Sequence, residues 1–133
     1  LAEYKEAFDM LNGFNTGHEG SMSTGHANSS KDMLTRLETM ILMAENLPLR
    51  AIRQQISSSI DIIVHLGRLR DKSRKVLEIS EIRGMDGENI LIEPIYQFIE
   101  TGTDPYKVTG ELKKVGKLCN TGKWIRGGLV LEN

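Results

Sequence analysis

A chain of 133 residues, 39% apolar but only 5% aromatic, is the size of one domain whose core must come from Leu, Ile, Val and Met. Its 17 basic and 18 acidic groups sum to −1, which gives no global pull toward nucleic acid or an anionic membrane. One cysteine, Cys119, excludes an internal disulfide, and no apolar run approaches the ~20 residues of a membrane helix; the expectation is a cytoplasmic domain.

Residues 3–14 read as a helix, with Ala7, Phe8, Met10, Leu11 and Phe14 on one broad face and Gly13 and Gly17 at its end. Ser21 to Ala27, small and flanked by Gly20 and Asn28, reads as a buried strand leading into a loop. Ser29 or Ser30 can N-cap the next helix, and Asp32 suits its first turn. Met33, Leu34, Leu37, Met40, Ile41 and Ala44 line one face of that helix to about Glu45. Pro48 fits the first turn of another, along which Leu49, Ile52, Ile56 and Ile60 recur.

The period then changes from helix to strand. Asp61 to Arg70 and Lys75 to Gly84 flank the polar turn Asp71-Lys72-Ser73-Arg74 and predict an antiparallel hairpin. Asp86-Gly87 signals a second turn, and Asn89 to Ile92 a third strand that Pro94 either ends or places at an edge. After Thr101, Gly102-Thr103-Asp104-Pro105 makes a loop. Residues 102–133 read as a loosely built, Gly- and Lys-rich extension with short β-like runs at Lys107–Lys113 and Leu129–Leu131. Residues 1–101 form the main domain in this reading.

The stretch that carries chemistry is N-T-G-H-E-G-S-M-S-T-G-H-A-N-S-S, residues 15–30. Small Gly, Ser and Thr residues offer hydrogen-bond donors and close backbone approach, which suits phosphate. His18 and His26 add imidazoles that sense charge or move protons near neutral pH. The bland alternative is two histidines in a turn-rich stretch, one exposed and one packed. Zinc is a weak rival, because His18, His26, His65 and Cys119 lack the tight spacing of a structural site. Nothing ties a histidine to Cys119 as a catalytic pair. Gly116 to Trp124 imitates a phosphate-binding loop but has five residues between its glycines and Trp124 after Lys123. A true loop has four, with Ser or Thr after the Lys.

Thr16, Gly17, His18, Gly20, Ser21, Thr24, His26, Ala27 and Asn28, followed by Arg36-Leu37-Glu38-Thr39, resemble the His-box of the secretion ATPases that drive type II and type IV secretion and pilus assembly. The resemblance is closest to the CpaF-like branch that assembles Flp/Tad pili. A second matching block runs from Leu47 to Ile56 and on through Ser59–His65 and Arg68–Asp71. The resemblance spans roughly residues 6–101.

It implies an α/β fold: the C-terminal part of a RecA-like P-loop NTPase core, with two or three helices and a β-hairpin or meander. It implies that His26 senses the γ-phosphate of ATP, with Thr24, Gly25 and His18 beside it. It also implies ATP and Mg²⁺ as cofactors of the intact parent, a hexameric ring, and inner-membrane secretion or pilus platform proteins as partners, with no nucleic acid. In the family the P-loop and the acidic boxes that hold Mg²⁺ precede the His-box, whereas here residues 1–14 precede it. The expectation is therefore a C-terminal piece with no turnover of its own, because phosphoryl transfer depends on the P-loop and metal. The alternatives are a stand-alone protein-interaction module and a phosphate-binding regulatory domain.

Overall fold

The computed structural model describes residues 4–16 and 20–122. Three helices come first: α1 (Tyr4–Asn15), α2 (Ser30–Ala44) and α3 (Leu49–Ser59). Four strands follow: β1 (Ile62–Arg68), β2 (Arg74–Asp86), β3 (Asn89–Glu100) and β4 (Gly110–Lys114). The strands form one antiparallel sheet in the order β1-β2-β3-β4, so each pairs with its neighbour in sequence. The mixed helix and sheet architecture agrees with the α/β expectation.

The helical period dictates the core. Ala7 and Leu11 of α1, Leu34, Leu37 and Ile41 of α2, and Ile52 and Ile56 of α3 are buried together with Ile82 of β2. Ile63, Ile90 and Ile92 pack against this cluster from the sheet. The helices therefore cover one face of the sheet, toward the β2–β3 turn. Burial of each Leu or Ile contributes about 1.5–3 kcal/mol, so this cluster is the main source of cohesion. Polar pairs join α1 to α3 at its rim: Asn15 Nδ2 donates to Ser59 Oγ at 2.6 Å, and Gln55 Nε2 to Asn12 Oδ1 at 2.6 Å. Arg53 bridges three elements, donating to Glu38 Oε1 of α2 at 3.0 Å and to the Glu88 carbonyl at 3.1 Å.

Turn chemistry closes the meander. Gly87 takes a φ of +65°, which L side chains resist and glycine accepts. A positive φ at the first of two loop residues is the pattern of a II′ hairpin. In the β1–β2 turn it is Lys72, not a glycine, that takes a φ of +67°.

Two expectations need correction. Ser21–Ala27 is not a buried strand: it has no regular secondary structure, and all of it but the half-buried Ala27 is exposed. An extended segment keeps strand geometry only where a neighbouring strand takes up its N–H and C=O groups, and the four-stranded sheet does not include it. Pro94 does not end β3, which runs on to Glu100. The β2–β3 register shifts beside Ser80↔Pro94, and the β4 ladder stops at Tyr96↔Lys114. Pro94 thus sits at an irregularity on one side and beyond the last pair on the other, where its missing N–H costs least.

Residue 101 marks no break in the sheet. β4 returns antiparallel to β3, Val108 is buried, and Val115 N donates to the Ile95 carbonyl at 2.7 Å. The run expected at Leu129–Leu131 lies outside the described residues.

Candidate functional site

The segment holding His26 is anchored at its C-terminal end by a helix cap. Ser29 is extended (φ −161°, ψ 170°), and its Oγ accepts from Asp32 N at 3.0 Å. Asp32 Oδ2 reaches back to accept from Asn28 N at 2.9 Å. The first bond satisfies a donor that the first turn leaves open, and the second ties the residue before the cap to the helix. Arg36, one turn on, donates from Nε to the same Oδ2 at 3.1 Å. The amide of Asn28, then Arg36, hold the Asp32 carboxyl below its ordinary value. Ser30 Oγ is buried at the start of α2 with no hydrogen-bond partner among the described residues. At the other end Gly20 has a φ of +79°, a conformation that suits glycine.

Between Gly20 and the cap, Thr24, Gly25 and His26 are exposed. His18 lies outside the described residues. The chain therefore presents a hydroxyl, a side-chain-free backbone and an imidazole together on one outward-facing loop. Such a set can donate to an anionic oxygen brought against it. His65 stands apart in β1, half-buried opposite Glu78, as a sheet residue.

Two polar constructions escape a sequence reading. Glu81 and Ile82 are adjacent on β2, so their side chains point to opposite faces. Ile82 joins the helical core, while Glu81, almost fully buried, meets the segment that follows β4. Its carboxylate accepts from Cys119 N at 2.9 Å and Asn120 N at 2.9 Å, and Arg83 Nε donates to it at 2.9 Å. Arg83 also donates to the Lys117 carbonyl. Burial pushes the Glu81 carboxyl up, but the two amides and the guanidinium outweigh it and hold the group below the usual range. The backbone amides of the sequence that imitates a phosphate loop are thus taken up by a carboxylate of the same chain. The only sequence signal was an acidic residue inside a β-rich run.

The second construction ties the β1–β2 turn to residues 101–109. Arg70 pairs with Glu100 through both terminal nitrogens and donates to the carbonyls of Asp104 and Pro105. Asp71 Oδ1 accepts from Ser73 Oγ at 2.5 Å and Ser73 N at 3.0 Å, and its Oδ2 from Val108 N at 2.9 Å. The Ser73 hydroxyl, then the Val108 amide, hold the Asp71 carboxyl at about 2.

Among the described residues no helix is long and apolar enough to cross a membrane. The type II/IV secretion system protein family matches residues 4–111, which takes in both the loop of His26 and the start of β4. The type IV secretion system protein PtlH of Bordetella pertussis is 38% identical over 86 residues, 59% of this chain and 25% of that protein. The conjugal transfer protein TrbB of Rhizobium radiobacter is 31% identical over 94 residues, 71% of this chain and 28% of its own length. A putative conjugal transfer protein of Mycobacterium tuberculosis is 32% identical over 82 residues, 62% and 23% respectively. The chain spans about a quarter of the length of these relatives. With the family match covering most of its length and the His26 loop inside that match, the chain belongs to the type II/IV secretion system protein family.

Proposed function

We propose that this chain is the C-terminal part of a RecA-like ATPase core that couples ATP hydrolysis to secretion or pilus assembly, in the Flp/Tad branch. The observation that carries the reading is the exposed Thr24-Gly25-His26 loop, capped onto α2 inside the family match. In the intact parent His26 contacts the γ-phosphate of Mg-ATP, with Thr24, Gly25 and His18 as its neighbours. An imidazole suits this role because one nitrogen can bond phosphate while the other bonds a neighbouring element. The outward presentation of the loop is what a site completed by other parts of the protein requires.

The 133 residues contain no G-x4-G-K-S/T sequence. The P-loop amides, its Lys and the metal provide most of phosphoryl-transfer catalysis, so the chain by itself has no appreciable turnover. The intact parent works as a cytoplasmic hexameric ring, held at the inner membrane by secretion or pilus platform proteins. A stand-alone interaction module, the other reading, gives no reason for this loop chemistry.

The test uses the full-length parent. His26→Ala should lower kcat with little change in KM, the signature of a contact made in the transition state. The expected loss is about 2–4 kcal/mol of transition-state stabilisation. His65→Ala, in β1, should leave turnover intact. Equal loss of turnover from both substitutions in folded hexamers would overturn the assignment of His26. Turnover by the 133-residue chain alone at ~1 s⁻¹ or more would overturn the partial-core reading.

A further inference from the structure

The end of the sheet farthest from the helices has a charge distribution that folding does not require. Arg68 and Arg74 stand directly opposite each other across the β1–β2 hairpin, both exposed. Like charges in that position destabilise a hairpin. Lys72, between them in the turn, takes the left-handed conformation at φ +67°, where glycine would be less strained. Arg68, Lys72, Arg74 and Lys107 form no ion pair among the described residues.

Three carboxylates share this end and hold its loops; Asp71 and Asp104, which accept from neutral donors, keep their negative charge and are outnumbered by the cations. Glu100 pairs with Arg70, Asp71 accepts from Ser73 and Val108, and Asp104 Oδ1 accepts from Tyr106 N at 2.8 Å. These bonds fasten residues 104–108 against the hairpin turn and bring Lys107 and Tyr106 to the same end of the sheet. Tyr106 is 88% exposed, and Leu66 of β1 is 64% exposed.

We propose that this end, formed by the β1–β2 turn and residues 101–109, docks onto an anionic lipid surface. The cations outnumber the carboxylates at this end, and each cation is worth about five-fold in affinity near such a surface. A tyrosine ring and a leucine beside them are the side chains that settle at a headgroup boundary. The two loop tips offer a rim of long flexible cations that a planar headgroup layer meets without a matching shape. The chain's overall charge of −1 makes this attraction local and orienting. The proposal does not rest on the nucleotide assignment, and it is tested without nucleotide.

The 133-residue chain is sedimented with vesicles of phosphatidylcholine alone, or carrying roughly a third phosphatidylglycerol, at about 50 and about 200 mM salt. Binding is expected only to the anionic vesicles, and weaker at the higher salt. Arg68→Gln with Arg74→Gln should weaken it about 30-fold, from about five-fold per cation. Lys72→Gly should weaken it about five-fold while raising the thermal midpoint, two effects that a structural role for Lys72 does not combine. Lys31→Gln with Arg50→Gln, on the helices, should change nothing. Equal binding to neutral vesicles, no binding to anionic ones, or full binding by the folded Arg68/Arg74 double variant would overturn the proposal. Polyglutamate binding of equal strength, lost in the same variants, would also overturn it by assigning the tip to an acidic protein.

Discussion

The helical core and the segments fastened to the sheet after β3 and β4 are held in place by different physics. In the first, Leu11, Leu37, Ile41, Ile52 and Ile56 are almost wholly removed from water and interlock across three helices. In the second, single carboxylates do the work: Glu81 holds residues 119–120, and Asp71 and Glu100 hold residues 101–109. Apolar burial is non-directional and insensitive to pH. Charge-assisted hydrogen bonds are directional and depend on protonation. The two regions should therefore respond to different perturbations, and the largest response should come from the helical core.

Ile52→Ala removes a fully buried side chain from the junction of α3 with the sheet. The expected loss is about 2–5 kcal/mol, read as a lower urea midpoint at unchanged slope. A loss below about 1 kcal/mol would mean that the helices contribute less than burial predicts.

Glu81→Gln comes next. It replaces a carboxylate accepting two backbone amides and a guanidinium by a neutral amide that accepts less well, at about 1–3 kcal/mol. Hydrogen exchange of the Cys119 and Asn120 amides should rise while the core amides stay protected. The pH dependence has a definite sign. The folded carboxyl lies below its ordinary value, so the stabilisation is complete above the unfolded value of about 4.3. It fades as pH falls through the folded value. Asp71 follows the same rule, its contribution fading from about 4 down to about 2. Retention of the Cys119 and Asn120 protection at acid pH would break the contrast.

Ser29→Ala is the smallest. It removes the side-chain cap of α2 and should cost about 1 kcal/mol, detected as a lower thermal midpoint. The same substitution loosens the anchor of the His26 loop. On the role proposed above for His26, it should also lower turnover of the parent without lowering ATP affinity.

The helices were legible because each has a continuous 3–4 spacing, and α2 and α3 have start signals as well. Ser29 caps α2 and Pro48 precedes α3, as those residue types indicate. The hairpin was legible from alternation and from Asp71–Arg74 and Asp86-Gly87. The extent of β3 was not, because Pro94 reads as a stop unless the neighbouring register is known. β4 was legible only as a β-like run at Lys107–Lys113; its five residues are all exposed, so no hydrophobic period marked its bounds or its place in the sheet. The segment of His26 was misread as a strand, because small residues fit a strand and a loop alike. The Glu81 and Asp71 contacts span 37 to 39 positions, and no local pattern announces a carboxylate that accepts from so distant an amide.

The neighbour-to-neighbour strand order also governs how the chain reaches this structure. Each hairpin of the meander closes a short loop, so the ordering entropy lost before the first contacts form is small. The contact between Glu81 and residue 119 closes a span of 38 positions and belongs to the late steps. Glu81→Gln should therefore speed unfolding and leave the refolding rate nearly unchanged. Stopped-flow refolding that slowed in proportion to the lost stability would instead place that contact in the nucleus.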